Sequence, residues 1–173
     1  MVIILEGIDR VGKTTLGEMI KNEIDNCDVF KAERIEEAFD SRNNNAISYG
    51  YCMGQVQLFN KYYVNDNRHI VIDRFHWTEY VYTKVQRDKN VSDKYVRAID
   101  REMLKQFGGY LIILMMPINI NLCSRMHGSD LSQHQKLFES LYEESRLNKY
   151  KCTYLSSDVA LDKVKRFIKG ELI

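Results

Sequence analysis

The chain has 173 residues, a length at which one compact domain with a single core is expected. Apolar residues make up 45% of the chain, which excludes disorder for the bulk of it. The 25 Lys and Arg residues balance 24 Asp and Glu residues, so the net charge of +1 disfavours a polybasic coat for nucleic acid or membrane surfaces.

The cysteines and the first residues of the chain indicate an intracellular protein without a structural zinc site. Cys27, Cys52, Cys123 and Cys152 form no CxxC pair and no Cys/His pair at ligand spacing. The opening MVIILEG lacks the basic segment of a secretory signal, and no apolar run reaches the roughly 18 residues of a membrane span. We therefore expect a reduced, cytoplasmic protein with no membrane partner.

Short apolar runs predict the strands of a parallel sheet. They are continuous rather than alternating, as expected for strands that are covered on both faces. The four clear runs span residues 2–5, 69–73, 110–116 and 152–155, and a weaker fifth run spans residues 28–32.

The stretches between these runs predict helices. The alternation of strands and helices predicts an α/β fold with three layers, in which about five parallel strands carry helices on both faces. No repeat or linker divides the chain, so residues 1–173 are interpreted as one domain. The predicted helices cover about 13–25, 46–64, 78–106 with a break near Asn90, 118–126, 130–148 and 158–169.

A phosphate-binding loop is predicted between the first strand and the first helix. Residues 7–14, GIDRVGKT, match G-x-x-x-x-G-K-[ST], a pattern expected by chance in about 0.6% of chains of this length. Its glycines let backbone N–H groups face phosphate oxygens, and the helix start adds its dipole. Lys13 is predicted to reach the β- and γ-phosphates, and the Thr14 hydroxyl to bind Mg²⁺. The predicted ATP-binding residues are Gly7, Arg10, Gly12, Lys13, Thr14 and Thr15.

Three further residues carry charges that suit phosphoryl transfer. Arg10 places a second cation inside the loop, where charge develops on a transferred phosphoryl group, and a solvated loop tip is its other interpretation. Asp73 and Arg74 end the third strand in chain order. The guanine-reading NKxD motif of GTPases is absent, and the strand that ends in Asp73 is not followed by a DxxG motif. We predict that Asp73 holds Mg²⁺ or orients the acceptor and that Arg74 holds a phosphate. A strand-end ion pair is the alternative.

The loop and the Asp-Arg pair together resemble those of thymidylate kinases. Residues 5–15, LEGIDRVGKTT, resemble that family's E-G-x-D-x-x-G-K-[ST]-T, and residues 73–75, DRF, resemble its D-R-[YFH] motif. The resemblance implies a P-loop NTPase fold in which Asp9 contacts the 3′-hydroxyl of the acceptor sugar. It also implies that Arg74 holds phosphate and that Arg10 is the catalytic arginine.

Looser matches extend the resemblance. Arg34 follows the second strand, where the family has an arginine for the acceptor's 5′-monophosphate, and Arg125 lies in the segment 124–132, which matches a mobile lid. Tyr49 stands where a base-stacking aromatic is expected, but Met53 stands where the family's thymine-reading arginine is found. Exposed or helix-end roles for the arginines, and a core role for Tyr49, are the alternatives.

The resemblance implies an ATP- and Mg²⁺-dependent kinase of a deoxynucleoside monophosphate, with dTMP to dTDP as the leading reaction. A deoxynucleoside kinase with Glu33 as the base, a kinase of a hydroxyl on a modified base in DNA, and a non-enzymatic switch are the alternatives. The near-zero net charge disfavours nucleic acid as a partner. The sequence is compatible with either a monomer or a homodimer. The predicted catalytic residues are Arg10, Lys13, Asp73, Arg74 and Arg125, the substrate-binding residues Asp9, Arg34, Tyr49 and Arg74, and the Mg²⁺ ligands Thr14 and Asp73.

Overall fold

Five strands form one parallel sheet in the computed structural model, which describes residues 1–31, 44–64, 66, 68–87, 91–106 and 108–171, without the side chains of 44–47. The strands are β1 (Val2–Glu6), β2 (Cys27–Lys31), β3 (His69–Asp73), β4 (Tyr110–Met116) and β5 (Asn148–Thr153). Their order across the sheet is β2-β3-β1-β4-β5, with every neighbouring pair parallel.

Helices follow the strands along the chain. Two of them continue into π-helical turns, at Asn60–Val64 and Thr83–Arg87, and a 3₁₀ turn at Tyr154–Ser156 leads into the last. The helices are α1 (Lys13–Glu23), α2 (Asn44–Phe59), α3 (His76–Tyr82), α4 (Lys94–Leu104), α5 (Ile120–His127), α6 (Ser132–Glu144) and α7 (Ser157–Ile168).

The sheet is the middle layer of three. α1 and α7 pack on one side of it, whereas α2, α3, α4 and α6 pack against one another as the second helical layer. β1 is buried throughout, and β3 and β4 are buried except at one end residue each, because helices cover both faces. The predicted α/β fold with three layers and five parallel strands is confirmed.

The strand predictions hold in the centre of the sheet and fail at one edge. β3 and β4 have the predicted bounds. β1 is one residue longer than predicted, and β2 begins and ends one residue earlier than predicted. β5 was predicted at 152–155 but runs from Asn148 to Thr153, and Leu155 lies outside it with 79% of its surface exposed. An edge strand pairs on one side only, so the polar run NKYK suits it and a search for apolar runs misses it.

Each predicted helical stretch contains a helix among the described residues, but several were predicted too long at their ends. α6 ends at Glu144 rather than near 148, because β5 begins four residues later. The predicted stretch 78–106 is two helices, α3 and α4, and its break near Asn90 lies outside the described residues. No helix in the described ranges is long and apolar enough to cross a bilayer. All four cysteines are buried and carry free thiols.

The strand order creates a crevice at the carboxyl ends of β1 and β3. These two strands are neighbours, but the chain leaves β1 for β2, on the far side of β3, and leaves β3 for β4, on the far side of β1. In open parallel sheets, ligands bind at such a reversal of strand order. The residues that end these strands, Glu6 and Asp73, and the loops that follow them therefore frame the candidate site.

Candidate active site

The loop between β1 and α1 is shaped by two glycines that no other residue could replace without strain. Gly7 has φ +131°, and a Cβ atom there would lie 2.4 Å from the carbonyl oxygen of Met115 in β4. Gly12 has φ +92°, and its Cβ would lie 2.7 Å from the ring of Tyr154. Both positions need glycine because of the positive φ and the close approach. Gly12 also caps α1, with its carbonyl oxygen 3.0 Å from Leu16 N, so the loop runs directly into the helix start.

Lys13 lies inside the concave face of this loop. Only 4% of its surface is exposed, and Nζ donates hydrogen bonds to the carbonyl oxygens of Gly7 at 2.8 Å and Ile8 at 2.5 Å. Burial and the guanidinium of Arg74 lower the pKa of Lys13 to about 8, although nearby carboxylates oppose the shift. The ammonium group thus occupies the cavity where the phosphates of a nucleotide would approach the loop.

Thr14 and Asp73 meet across the crevice. The Thr14 hydroxyl donates a hydrogen bond of 2.6 Å to Oδ2 of Asp73, which is only 2% exposed. Oδ1 of Asp73 is buried and has no hydrogen-bond partner among the described residues. Mg²⁺ prefers carboxylate and hydroxyl oxygens and keeps several waters, so this pair and its unused oxygen fit a Mg²⁺ ion.

Arg74 turns back from the end of β3 toward the loop. Its φ of +73° is unusual for a residue with a side chain, and its backbone N–H donates to the carbonyl oxygen of Leu5 at 3.0 Å. Nη2 donates to Oδ1 of Asp9 at 2.6 Å, whereas Nε is buried with no hydrogen-bond partner in the described part of the chain. Strained backbone of this kind is concentrated at functional sites, where the fold holds a side chain in a required place.

Glu6, the acidic residue of the motif LEGIDRVGKTT, has a structural role at the site that the motif alone does not indicate. It is fully buried at the end of β1 and accepts hydrogen bonds from the backbone N–H groups of Trp77 and Thr78, both at 3.0 Å. The Thr78 hydroxyl also donates to it at 2.5 Å. Burial raises the pKa of Glu6, although His76 and the hydrogen bonds from α3 oppose the shift. Glu6 therefore caps α3 from another element and fixes the segment that carries Asp73 and Arg74.

Two adjoining cavities lie on the loop. The phosphate cavity, of about 460 Å³, and the apolar cavity, of about 340 Å³, share Arg10, Val11, Gly12, Thr15 and Met126. The phosphate cavity is otherwise lined by Asp9, Lys13, Thr14, Arg74 and His127. The apolar cavity is otherwise lined by Met116, Pro117, Ile118, Asn119, Leu122, Cys123 and Tyr154.

The structure brings most of the predicted site residues to these cavities. Arg10 is exposed, has φ +69° and lines both cavities, as expected for a cation inside the loop. Arg125 is exposed on α5, and that helix contributes Met126 and His127 to the phosphate cavity instead of Arg125. The catalytic role of Arg125 and the lid at 124–132 stay predictions.

Two predicted substrate-binding residues are not found at the cavities. Tyr49 is half-buried, and its ring centroid lies 5.3 Å from that of Tyr95 in a small apolar pocket between α2, α3 and α4. Arg34 lies outside the described residues. The roles of both residues stay predictions.

Two histidines contact carboxylates at or near the site. The side chain of His76 is fully buried, with Nε2 2.7 Å from Oδ1 of Asp100. His127 ends α5, and its Nε2 lies 3.2 Å from Oδ2 of Asp9. Nothing local in the sequence signals these contacts, because their partners are distant along the chain.

Comparisons with known proteins find similar folds but no similar sequences. No protein-family model matches the chain, and no curated protein sequence is significantly similar to it. YorR from Bacillus subtilis, in complex with phosphorylated GDP, superposes with a TM-score of 0.68 at 20% identity, over 98% of this chain and 96% of YorR. Deoxyadenosine kinase from M. mycoides, with products dCMP and dCDP, superposes with a TM-score of 0.58 at 15% identity, over 98% and 100% of the two chains.

A designed protein also has this fold. The de novo P-loop protein PLOOP2X3_50 superposes with a TM-score of 0.53 at 12% identity, over 98% of this chain and 95% of the design. Because one fold hosts many activities, likeness at these identities establishes the architecture alone. The chain therefore has the three-layer α/β fold of P-loop NTPases.

Proposed function

We propose that the protein is a kinase that transfers the terminal phosphoryl group of a nucleoside triphosphate to a nucleotide or nucleoside. The observation that carries this proposal is the phosphate cavity, in which Lys13, Thr14 and Arg10 lie beside the ion pair of Asp9 and Arg74. A loop built for phosphates and a separate charged pair in one cavity provide places for a donor and an acceptor.

The donor is assigned to the loop side of the cavity. The N–H groups at the start of α1 and the ammonium group of Lys13 would hold the β- and γ-phosphates. Thr14 and Asp73 would hold Mg²⁺, which neutralises charge on the phosphate oxygens when it is bound. The apolar cavity next to the loop has a size and lining suited to the base and sugar of the donor nucleotide.

The acceptor is assigned to Asp9 and Arg74. The carboxylate of Asp9 can accept a hydrogen bond from a sugar hydroxyl, and the guanidinium group of Arg74, which lines the phosphate cavity, can donate to an oxygen of the acceptor. Arg10 would stabilise the charge that develops on the phosphoryl group in transit. Phosphoryl transfer needs alignment and charge stabilisation more than covalent help, and these residues supply both.

The leading acceptor is dTMP, supported by the two motifs that resemble thymidylate kinases. YorR binds phosphorylated GDP, and the M. mycoides enzyme is a deoxyadenosine kinase with bound products, so structures of similar fold are found with nucleotides as ligands. A deoxynucleoside is the second candidate acceptor, and a hydroxyl on a modified base in DNA is the third. Glu33 and Arg34, which separate the first two candidates, lie outside the described residues.

An acceptor panel tests the proposal. The protein is incubated with Mg²⁺, ATP labelled on the γ-phosphate, and separate sets of nucleosides, nucleoside monophosphates and a DNA oligomer with a hydroxymethylated base. We expect label on dTMP before any other compound, and none with the variant Lys13→Met. Label on nucleosides or on the oligomer would replace dTMP with an alternative acceptor. Hydrolysis of ATP without label on any acceptor would overturn the kinase proposal.

A further inference from the structure

The end of α5 is fixed in place beside the phosphate cavity. Gly128 ends the helix with φ +81°, and its N–H donates to the carbonyl oxygens of Ser124 at 2.9 Å and Arg125 at 3.3 Å. A left-handed glycine at this position is a strong stop signal for a helix. Nδ1 of His127 then lies 2.7 Å from the Ser129 hydroxyl, which sets the direction of the imidazole ring.

The other ring nitrogen faces the P-loop. Nε2 of His127 lies 3.2 Å from Oδ2 of Asp9, and the two side chains are 23% and 14% exposed. Oδ1 of the same carboxylate accepts the hydrogen bond from Arg74 at 2.6 Å. Asp9 therefore joins three separate parts of the chain: its own loop, the turn after β3 and the end of α5.

The contact has an electrostatic reason. A carboxylate that lines a cavity for phosphates repels its own ligand, and the repulsion is strong because charges in a partly buried cleft are poorly screened. Arg74 balances the charge of Asp9 through Oδ1, and the imidazole of His127 contacts the other oxygen, Oδ2. Lys13 and Arg10 on the loop, Tyr82 on α3 and His134 on α6 are further titratable or charged groups around this cluster. Burial and the charge of His127 lower the pKa of His134.

We propose that His127 is a positioning residue that acts through Asp9: it holds the end of α5 over the phosphate cavity and fixes the carboxylate that receives the acceptor. The identity of the acceptor rests on the proposed function, but the contact itself does not. Met126, which precedes His127 and lines both cavities, comes into place by the same contact. Loss of the imidazole would remove the contact between the end of α5 and Asp9.

A double-mutant cycle tests this coupling without relying on activity. The affinity for inorganic tripolyphosphate is measured by calorimetry, at one pH and ionic strength, for wild type, His127→Ala, Asp9→Asn and the double variant. We expect His127→Ala to weaken binding by about two- to fivefold, as for a partly exposed ion pair. In the Asp9→Asn background the same substitution should have almost no effect. Equal effects in both backgrounds would overturn the proposal, because His127 would then act without Asp9.

Kinetics supply the second readout. With the acceptor found in the panel above, His127→Ala should raise the acceptor KM by about fivefold and leave kcat within about twofold, since a positioning residue acts on binding. Asn121→Ala, on the exposed first turn of α5, is the matched control and should leave both constants unchanged. A fall in kcat alone would overturn the proposal. If no acceptor is phosphorylated, the proposed function fails, and the tripolyphosphate cycle still decides the role of His127.

Discussion

The hydroxyl of Thr14, in the first turn of α1, donates a hydrogen bond of 2.6 Å to Oδ2 of Asp73, the last residue of β3. The bond joins the P-loop to the neighbouring strand and leaves Oδ1 of Asp73 buried without a hydrogen-bond partner among the described residues. A buried acceptor without a donor costs free energy unless a ligand or water satisfies it. Thr14 and Asp73 therefore fit a site for a hard cation.

Asp73→Asn should lower kcat by about 10²–10³-fold and raise the Mg²⁺ concentration needed for half-maximal turnover, because the amide keeps the size of the side chain and loses its charge. Turnover measured against Mg²⁺ concentration checks this. Asp158→Asn, at an exposed position in α7, is the control. An unchanged Mg²⁺ dependence in the Asp73 variant would remove this residue from the metal site.

Lys13→Met should abolish turnover and leave the fold intact. The β- and γ-phosphates lose their fixed cation, whereas the ligand-free protein no longer buries an ammonium group. We expect the free energy of unfolding to stay within about 1 kcal/mol of wild type, because relief of charge burial offsets the lost hydrogen bonds. Urea denaturation and the acceptor assay check the two parts. Lys21→Met, on the exposed side of the same helix, should keep full activity.

Arg10 can be tested without straining the loop. Because its φ is +69°, glycine removes the cation at no backbone cost, and lysine keeps a charge at the same place. Arg10→Gly should lower kcat by about 10²–10⁴-fold and change the KM for ATP little, as expected for a cation that acts on the transition state. Arg10→Lys should recover part of the loss. A rise in KM with unchanged kcat would make Arg10 an ordinary binding residue.

Arg34 and Glu33 distinguish the two leading acceptors. If the acceptor carries a phosphate, Arg34→Ala should raise its KM by about 10–100-fold, because a charge-assisted hydrogen bond is worth about 1.5–3 kcal/mol. If the acceptor is an uncharged nucleoside, Glu33→Gln should instead lower kcat by about 10²–10⁴-fold through loss of the base. Steady-state kinetics of both variants separate the cases. An unchanged acceptor KM in the Arg34 variant, with a collapsed kcat in the Glu33 variant, would exclude the monophosphate kinase.

Asp100 holds a buried polar network behind the site. It faces Nε2 of His76 at 2.7 Å and accepts hydrogen bonds from Ser145 Oγ at 2.8 Å and Trp77 Nε1 at 3.4 Å. Burial alone would raise the pKa of Asp100, but these partners outweigh it and hold the pKa below its ordinary value. Asp100→Asn should therefore destabilise the protein by about 2–4 kcal/mol at pH 7.

The pH dependence of this loss follows from the lowered pKa of Asp100. A carboxyl whose pKa is lower in the folded than in the unfolded state stabilises the fold fully above the unfolded value and loses this contribution as the pH falls through the folded one. The gap in the free energy of unfolding between wild type and Asp100→Asn should thus narrow below about pH 4. Urea denaturation at pH 7, 5 and 3 measures it, with the exposed Asp162→Asn as control. A gap that is constant with pH would contradict the assignment.

The strand predictions are accurate where the local sequence is strongly apolar and inaccurate where it is not. β3 and β4 were predicted to the residue because strands covered on both faces must be apolar throughout. β5 was placed four residues late because an edge strand tolerates lysines and an asparagine. The thymidylate kinase subtype stays a prediction, since the motifs that suggest it cover only residues 5–15 and 73–75.

The sequence by itself determined the phosphate loop and the central strands. The loop depends on backbone angles at Gly7 and Gly12 and on the helix that follows, and all of these are encoded within a few neighbouring residues. Local encoding of this kind can be recognised from residue type and spacing.

Only the tertiary structure decided which charges meet. Thr14 and Asp73 are 59 residues apart, Asp9 and Arg74 are 65 apart, and Glu6 reaches Thr78 across 72. These residues lie close together in space because β1 and β3 are neighbours in the sheet, although they are not consecutive strands along the chain. The placement of α5 likewise brings His127 to Asp9. Strand order and helix packing arise from burial over the whole domain, so no local pattern of residues contains them.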